Sequence, residues 1–296
     1  MSRDYTIGAL WIGGSLSYLE QLCLKSFVDA GQHIRLYTYH TVEKVPEGVE
    51  IADANEILPS ENFLTHERTG SPALHSDLFR YHMLTRHDDV IWADTDAYCV
   101  KPFTTENGHF YAWESNRKVN GGVLGLPPDS ETLRELLEFT RDEFPIPGWL
   151  TEEEKAPLRA AHEGGKPVHA SEQPWGVWGP DAVTYFLRKT GEIRFALKRV
   201  ALYPVHYRHR GVLLSPGGQL SKFCTDETFS IHLYGRRLRA RILARREDGI
   251  PPVRSIVGRL LQKHGIDPAA APLRRPAPGE VLDDNDDSAA GEGADE

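Results

Sequence analysis

The hydrophobic pattern near the N-terminus predicts the opening of an α/β fold. Residues 5–11 (YTIGALW) are almost continuously apolar, as in a strand buried on both faces, and run into Gly13-Gly14-Ser15, where a chain can turn tightly. Leu16, Leu19, Leu22, Cys23 and Phe27 then recur at helical spacing, and Gly31 is placed to cap the helix. Residues 33–39 (HIRLYTY) alternate as a second strand. Strand, glycine turn, helix and strand in that order predict a sheet whose ligands bind beyond the C-terminal ends of its strands. The glycine pair lacks the full GxGxxG spacing of a dinucleotide site.

Further along, Leu74, Leu78, Tyr81 and Leu84 mark an amphipathic helix over 72–86. It leads through His87-Asp88-Asp89 into the strand Val90-Ile91-Trp92-Ala93, which stops at Asp94. Strands are expected at 109–113 and 121–126, helices at 129–143 and 180–189, and further strands around 195–207 and 229–233 that complete the sheet. Residues 145–174, rich in Pro, Gly, Glu and Lys, read as a surface insertion with a short helix near 152–162. There are no internal repeats. The expected organisation is a catalytic domain over 1–234, basic helices over 235–275 and a tail over 276–296.

Charge changes this picture only at the C-terminal end. The formal net charge is −9, but residues 276–296 hold eight carboxylates and no Lys or Arg, so the rest is nearly neutral. With almost nothing to bury, that tail is expected to stay disordered. Residues 235–275 have the opposite bias, with eleven Lys or Arg against three Asp or Glu. No stretch approaches the ~18 apolar residues of a membrane span, and the N-terminus lacks the pattern of a signal peptide. Cys23, Cys99 and Cys224 are odd in number and far apart, as for free thiols in a reducing compartment. The expectation is a cytoplasmic protein with no nucleic-acid partner.

Candidate chemistry is concentrated at Asp94-Thr95-Asp96, where a buried strand runs out into a loop. Two carboxylates ~5 Å apart repel by roughly 3 kcal/mol at an effective dielectric of about 20. A divalent cation removes that cost. Mg²⁺ and Mn²⁺ prefer oxygen ligands and commonly combine few carboxylates with substrate phosphates. A bare DxD also occurs as loop capping, so its surroundings matter.

The run Ser76-Asp77-Leu78-Phe79-Arg80-Tyr81, then the strand, then Asp94-Thr95-Asp96 and Lys101-Pro102, resembles the DXD-containing glycosyltransferase sugar-binding family. That family includes bacterial capsule and lipopolysaccharide transferases, yeast mannosyltransferases and vertebrate α1,4-galactosyltransferases, with the clostridial glucosylating toxins as distant relatives. The match is strong over 74–103 and looser through Asn120, Trp178-Gly179-Pro180 and Ile231-His232-Leu233. His87-Asp88-Asp89 departs from the family's usual Gly-Gly, and Trp92-Ala93 from its usual Tyr or Leu.

The resemblance implies a GT-A fold: a Rossmann-like mixed sheet flanked by helices, here followed by C-terminal helices. It implies a retaining, metal-dependent transfer of a hexose or N-acetylhexosamine from a nucleotide-sugar to a glycan or glycolipid, with Mn²⁺ or Mg²⁺ as cofactor. The bacterial-looking relatives commonly use UDP-hexoses, which points to a UDP-sugar donor. Carried over by position, Asp77 and Arg80 bind donor sugar hydroxyls, and their i, i+3 spacing puts both on one helical face. Asp94 contacts ribose, sugar or metal; Asp96 ligates the metal; His232 supplies a further ligand; Thr95 lies on the donor side. Trp11-Ile12-Gly13 line the nucleoside pocket, and Asn120 faces the donor sugar or acceptor. No nucleophile announces itself and no base is nominated, Asn120 and Asp181 being the candidates. Trp175 and Trp178 can stack on a sugar or simply pack in the core.

Two rival readings remain. A haloacid-dehalogenase-type phosphatase needs Thr or Val two residues after its second Asp, where this chain has Tyr98, and its later acidic pair is found only at Asp283-Asp284. A non-catalytic nucleotide-sugar or glycan-binding protein is the other. Finally, Val253, Ile256, Val257, Leu260 and Leu261 form an apolar stripe at helical spacing beside many arginines. This segment, residues 238–264, either docks on an anionic membrane surface as a peripheral contact or on an acidic glycolipid acceptor, or its stripe packs on the catalytic domain.

Overall fold

The computed structural model describes residues 4–67 and 70–275. The acidic tail from 276 onward lies outside the described residues. Five strands form the main sheet: β1 (Thr6–Trp11), β2 (Ile34–Thr38), β3 (Glu50–Asp53), β4 (Val90–Ala93) and, after the short strand β5 (Ala97–Cys99), β6 (Val123–Leu124). Their order is β3-β2-β1-β4-β6, parallel except for β6, which pairs antiparallel with β4. The result is a mixed α/β fold with a mostly parallel sheet flanked by helices, as in Rossmann-like folds.

The apolar runs explain the sheet. Ile7, Ala9, Ile34, Leu36 and Ile91 pack into one core layer, while Leu10, Tyr37, Val90 and Trp92 face another that includes Phe79, Met83 and Leu84. Helix α1 (Tyr18–Asp29) crosses between β1 and β2, and α2 (Ala73–Arg86) crosses from β3 to β4. Strand order therefore reverses between β1 and β4, and open α/β sheets form a crevice at such a point. Both strands end there, β1 at Trp11 and β4 at Ala93, directly before Asp94.

Beyond the sheet lie α3 (Glu131–Phe139), α4 (Glu152–Glu163), α5 (Pro180–Lys189) and the single turn α6 (Arg199–Leu202). Helix α4 buries none of its residues and is held by a Thr151/Glu154 capping box and surface ion pairs. The expected strand at 109–113 is reduced to isolated bridges, Phe110 to Gly125, Ala112 to Leu197 and Trp113 to Val119. The expected strands around 195–207 are short helical turns instead. The late strand β7 (Ser230–His232) does not complete the main sheet; it pairs antiparallel with β5 as a separate ribbon.

Helices α7 (Gly235–Arg245) and α8 (Ile256–Lys263) close the described chain. Ile256, Val257, Leu260 and Leu261 are buried against Tyr18, Leu22, Tyr98 and Ile231, leaving only Val253 of the apolar stripe exposed. Packing has used the stripe, so it is not available to a membrane. Among the described residues no helix is long and apolar enough to cross one.

A buried ion pair ties the two ends of the chain together. Glu20 is almost fully buried, completes the capping box of Ser17 at the start of α1, and pairs with Arg239 of α7. Glu20→Ala removes the cap partner and strands the Arg239 guanidinium, so unfolding in urea should show a loss of about 3–5 kcal/mol. A loss below about 1 kcal/mol would mean that this pair does not hold α7 in place.

Candidate functional site: a carboxylate-lined cavity at the strand reversal

The site is assembled around Arg80, on the buried face of α2. Its Nη2 lies 3.1 Å from Asp77 Oδ1 and 3.3 Å from Asp94 Oδ1. Nη1 donates to the Gly121 carbonyl at 2.5 Å, Nε donates to the Ser76 carbonyl at 3.3 Å, and the guanidinium sits 4.9 Å from the Trp92 ring centre. One side chain thus joins α2, the end of β4 and the turn leading into β6. Asp94 is fixed further by Trp92 Nε1, which donates to Oδ1 at 2.8 Å, and by its own N–H, which donates to the Gly122 carbonyl at 2.7 Å.

Close packing here demands glycine at two places. A Cβ on Gly179 would stand 2.9 Å from Asp77 Oδ2, and one on Gly122 would stand 3.0 Å from Asp94 Oδ2. Any larger residue would push the carboxylates out of line.

Asp96 is held by the ribbon rather than by Arg80. The β5–β7 register sets Ala97 opposite His232, and the Leu233 N–H donates to the Asp96 carbonyl at 2.9 Å. This brings His232 Nε2 to 3.2 Å from Asp96 Oδ2, the oxygen that also accepts the Gly235 N–H at 2.8 Å. The other oxygen, Oδ1, is buried without a partner, and so is Nδ1 of His232.

Burial and charge pull against each other throughout. Burial pushes the Asp77 carboxyl up to about 6 although Arg80 opposes it. Burial also lifts Asp94 above the ordinary carboxylate range against the pull of Arg80. At Asp96 and His232 burial opposes both charges, but their mutual contact outweighs it, leaving Asp96 at about 2 and His232 at about 9.

These groups line a cavity of about 220 Å³. Of the residues expected from sequence, Asp77, Arg80, Asp94, Asp96, Asn120 and His232 all line it. Asn120 turns its Oδ1 to the Gly122 N–H at 2.7 Å, which leaves its amide nitrogen free to donate. Trp11, Ile12 and Gly13 are not part of this wall; they follow β1 at the same edge of the sheet, and Trp11 Nε1 is buried without a partner. Thr95 does not line the cavity either. Asp181 does not line the cavity, and it pairs with Lys118 at 2.7 Å. Trp175 lines the cavity, whereas Trp178 packs in the core, where its carbonyl accepts the Tyr81 hydroxyl at 2.5 Å.

His66 also faces the cavity, though nothing in its local sequence pattern marks it. Its ring lies tilted against Trp175, with centres 5.4 Å apart, and reaches the Gln173 carbonyl at 3.1 Å.

Among the described residues no three His, Cys, Asp or Glu side chains converge as a metal-binding cluster. The expected trio is split, with Asp94 turned to Arg80 and Asp96 paired with His232. The unpartnered Asp96 Oδ1 still fits a cation that draws most of its ligands from phosphate oxygens and water. His232 would have to shed its proton to join it.

No family model matches the chain, and no curated protein matches it in sequence. Among solved structures it is similar to the PaToxG glycosyltransferase, at a TM-score of 0.38 and 13% identity over 64% of this chain and 70% of that one. A likeness of that size decides neither fold family nor activity; the geometry of the cavity has to do so.

Asp77 supplies a direct test of that geometry. Its folded pKa of about 6 lies above the ordinary 3.8, so its contribution to stability is full below about pH 4 and is lost as pH rises through about 6. Asp77→Asn cannot ionise. Relative to wild type it should therefore gain up to roughly 3 kcal/mol of stability between about pH 4 and pH 7.5, read from urea unfolding. A stability difference that does not change with pH would contradict the buried, ionisation-resistant site described above.

Proposed function

We propose that the chain is a metal-dependent glycosyltransferase of the GT-A kind, moving a hexose or N-acetylhexosamine from a UDP-sugar to a glycan or glycolipid acceptor. The observation that carries this reading is the division of labour between the two carboxylates of the DXD segment. Asp94 is locked by Arg80 beside Asp77, while Asp96 keeps one buried oxygen without a partner.

Asp77, Arg80 and Asn120 offer a carboxylate, a guanidinium and an amide nitrogen within one cavity. Such a set suits a sugar, whose hydroxyls both donate and accept. Asp96 and His232 would hold Mn²⁺ or Mg²⁺, and a bound cation supplies Lewis-acid stabilisation of a departing nucleoside diphosphate. Arg80 does more than bind: its one positive charge offsets part of the cost of burying Asp77 and Asp94, which still repel each other, in one wall. The Trp175 ring in the cavity wall suits stacking on a sugar face. Among the described residues no side chain is placed as an obvious nucleophile, which fits a retaining transfer in which the departing diphosphate takes the acceptor proton.

Thermal shift with UDP- and GDP-sugars, with Mn²⁺ or EDTA, tests the reading. UDP-sugars with Mn²⁺ should raise the melting temperature, because a ligand at ~100 times its Kd stabilises by about 2.7 kcal/mol. EDTA should abolish the shift, and Asp96→Asn should abolish both shift and transfer. Equal binding in EDTA would remove the metal from the proposal, and a response to GDP alone would replace the donor.

A further inference from the structure

His66 lines the cavity without a role in holding the donor or the cation. The chain around it is fastened by backbone bonds. The His66 N–H donates to the Ser71 carbonyl at 2.8 Å, the Glu67 N–H to the Ser171 carbonyl at 3.1 Å, and the His75 N–H of α2 to the Leu64 carbonyl at 3.3 Å. The imidazole is buried, and its Nε2 meets the Gln173 carbonyl at 3.1 Å. Gln173 is anchored in turn, its amide nitrogen donating to the Pro145 carbonyl at 2.8 Å and the Val168 carbonyl at 3.2 Å. The ring is therefore held in one place, against the loop that carries Trp175.

That anchoring decides what the ring can offer. A carbonyl oxygen only accepts, so Nε2 carries a proton, and in the neutral imidazole the lone pair is left on Nδ1. Nδ1 is buried, and among the described residues no group donates to it. A buried acceptor without a donor costs stability and is uncommon in folded proteins. The phosphate oxygens of an ionised diphosphate only accept, so they cannot complete Nδ1, whereas a sugar hydroxyl or an acetamido N–H can. The Trp175 ring, its centre 5.4 Å from that of His66, lies in the same cavity wall. An aromatic surface beside a single hydrogen-bond acceptor suits a pyranose, which has apolar C–H faces and a rim of hydroxyls.

We propose that His66 is a specificity-determining residue for the donor sugar: Nδ1 accepts a hydrogen bond from a hydroxyl or acetamido N–H of the sugar in the cavity, while Nε2 keeps the ring on the Gln173 carbonyl. The proposal rests on the glycosyl-transfer reading, which puts the donor sugar against Asp77, Arg80 and Asn120 in this same cavity. His66 differs from those groups in demanding a hydrogen at one position. A sugar that brings none there leaves Nδ1 buried and unpaired, so His66 discriminates among hexoses by the penalty it imposes on the wrong one.

His66→Gln and His66→Asn, made in the full chain, separate the two ring nitrogens. Glutamine can place its amide nitrogen near the position of Nε2 and leaves nothing at Nδ1; asparagine can place its carbonyl oxygen near Nδ1 and gives up the contact with Gln173. Calorimetry in Mn²⁺ measures the Kd of UDP, UDP-glucose, UDP-galactose and UDP-N-acetylglucosamine. For whichever UDP-sugar the wild type binds most tightly, His66→Gln should weaken binding by about tenfold or more and His66→Asn by less. Both variants should keep the wild-type Kd for UDP itself. Unchanged UDP-sugar binding in His66→Gln, or a larger loss in His66→Asn, would reduce His66 to a clamp on the Trp175 loop. Equal losses for UDP and UDP-sugar would move its role to the nucleotide or to the fold; each of these results overturns the proposal. A wild-type chain that binds neither UDP nor any of the UDP-sugars would instead take away the transfer reading, and this proposal with it.

Discussion

A single guanidinium holds the cavity wall together. Arg80 is charged, buried and shared between Asp77 and Asp94, and it also donates to the Gly121 and Ser76 carbonyls. The two carboxylates share its one positive charge, so loss of Arg80 would leave both buried without a counter-charge, and helix α2, the end of β4 and the turn before β6 are obliged to meet in one geometry. The cavity is the space left by that meeting. Its position follows from sheet order, because α2 returns the chain to the far side of β1 and opens the crevice where the order reverses.

The second half of the site comes from the far end of the chain. Three residues of β7 pair with three of β5, and this short ribbon places His232 against Asp96 while Gly235 begins α7 over the same carboxylate. Helices α7 and α8 share one apolar cluster with α1 and β5, and the Glu20–Arg239 pair anchors them. The basic C-terminal segment is therefore part of the wall that shapes the corner around Asp96 and His232. Its apolar stripe meets the protein's own core.

Much of this was legible in the sequence, and what was not has a physical reason. Helix α2 and strand β4 are legible from their apolar positions, and Asp94 from its place where that strand stops, but Asp77 and Arg80 are singled out by the family resemblance, with which their i, i+3 spacing agrees. The pairing of Asp96 with His232 depends on strands of three residues separated by more than a hundred positions, and no local period reports it. The apolar positions Ala201, Leu202, Tyr203 and Val205 read as strand, yet they are buried from a helical turn and the loop after it. Short apolar runs do not distinguish the two. His66 sits on an irregular segment, where only tertiary packing decides what a side chain faces.

The central claim is that Asp96 and His232, and not Asp94, hold the cation, with Asp94 kept back by Arg80. Anomalous diffraction at the manganese edge, from crystals grown with Mn²⁺ and UDP, measures this most directly. The account predicts one manganese peak within bonding distance of Asp96 and His232 and of a diphosphate oxygen, with the Arg80–Asp94 contact intact. A peak bound to Asp94 with Arg80 displaced, or no peak in the cavity while UDP is present, would contradict it.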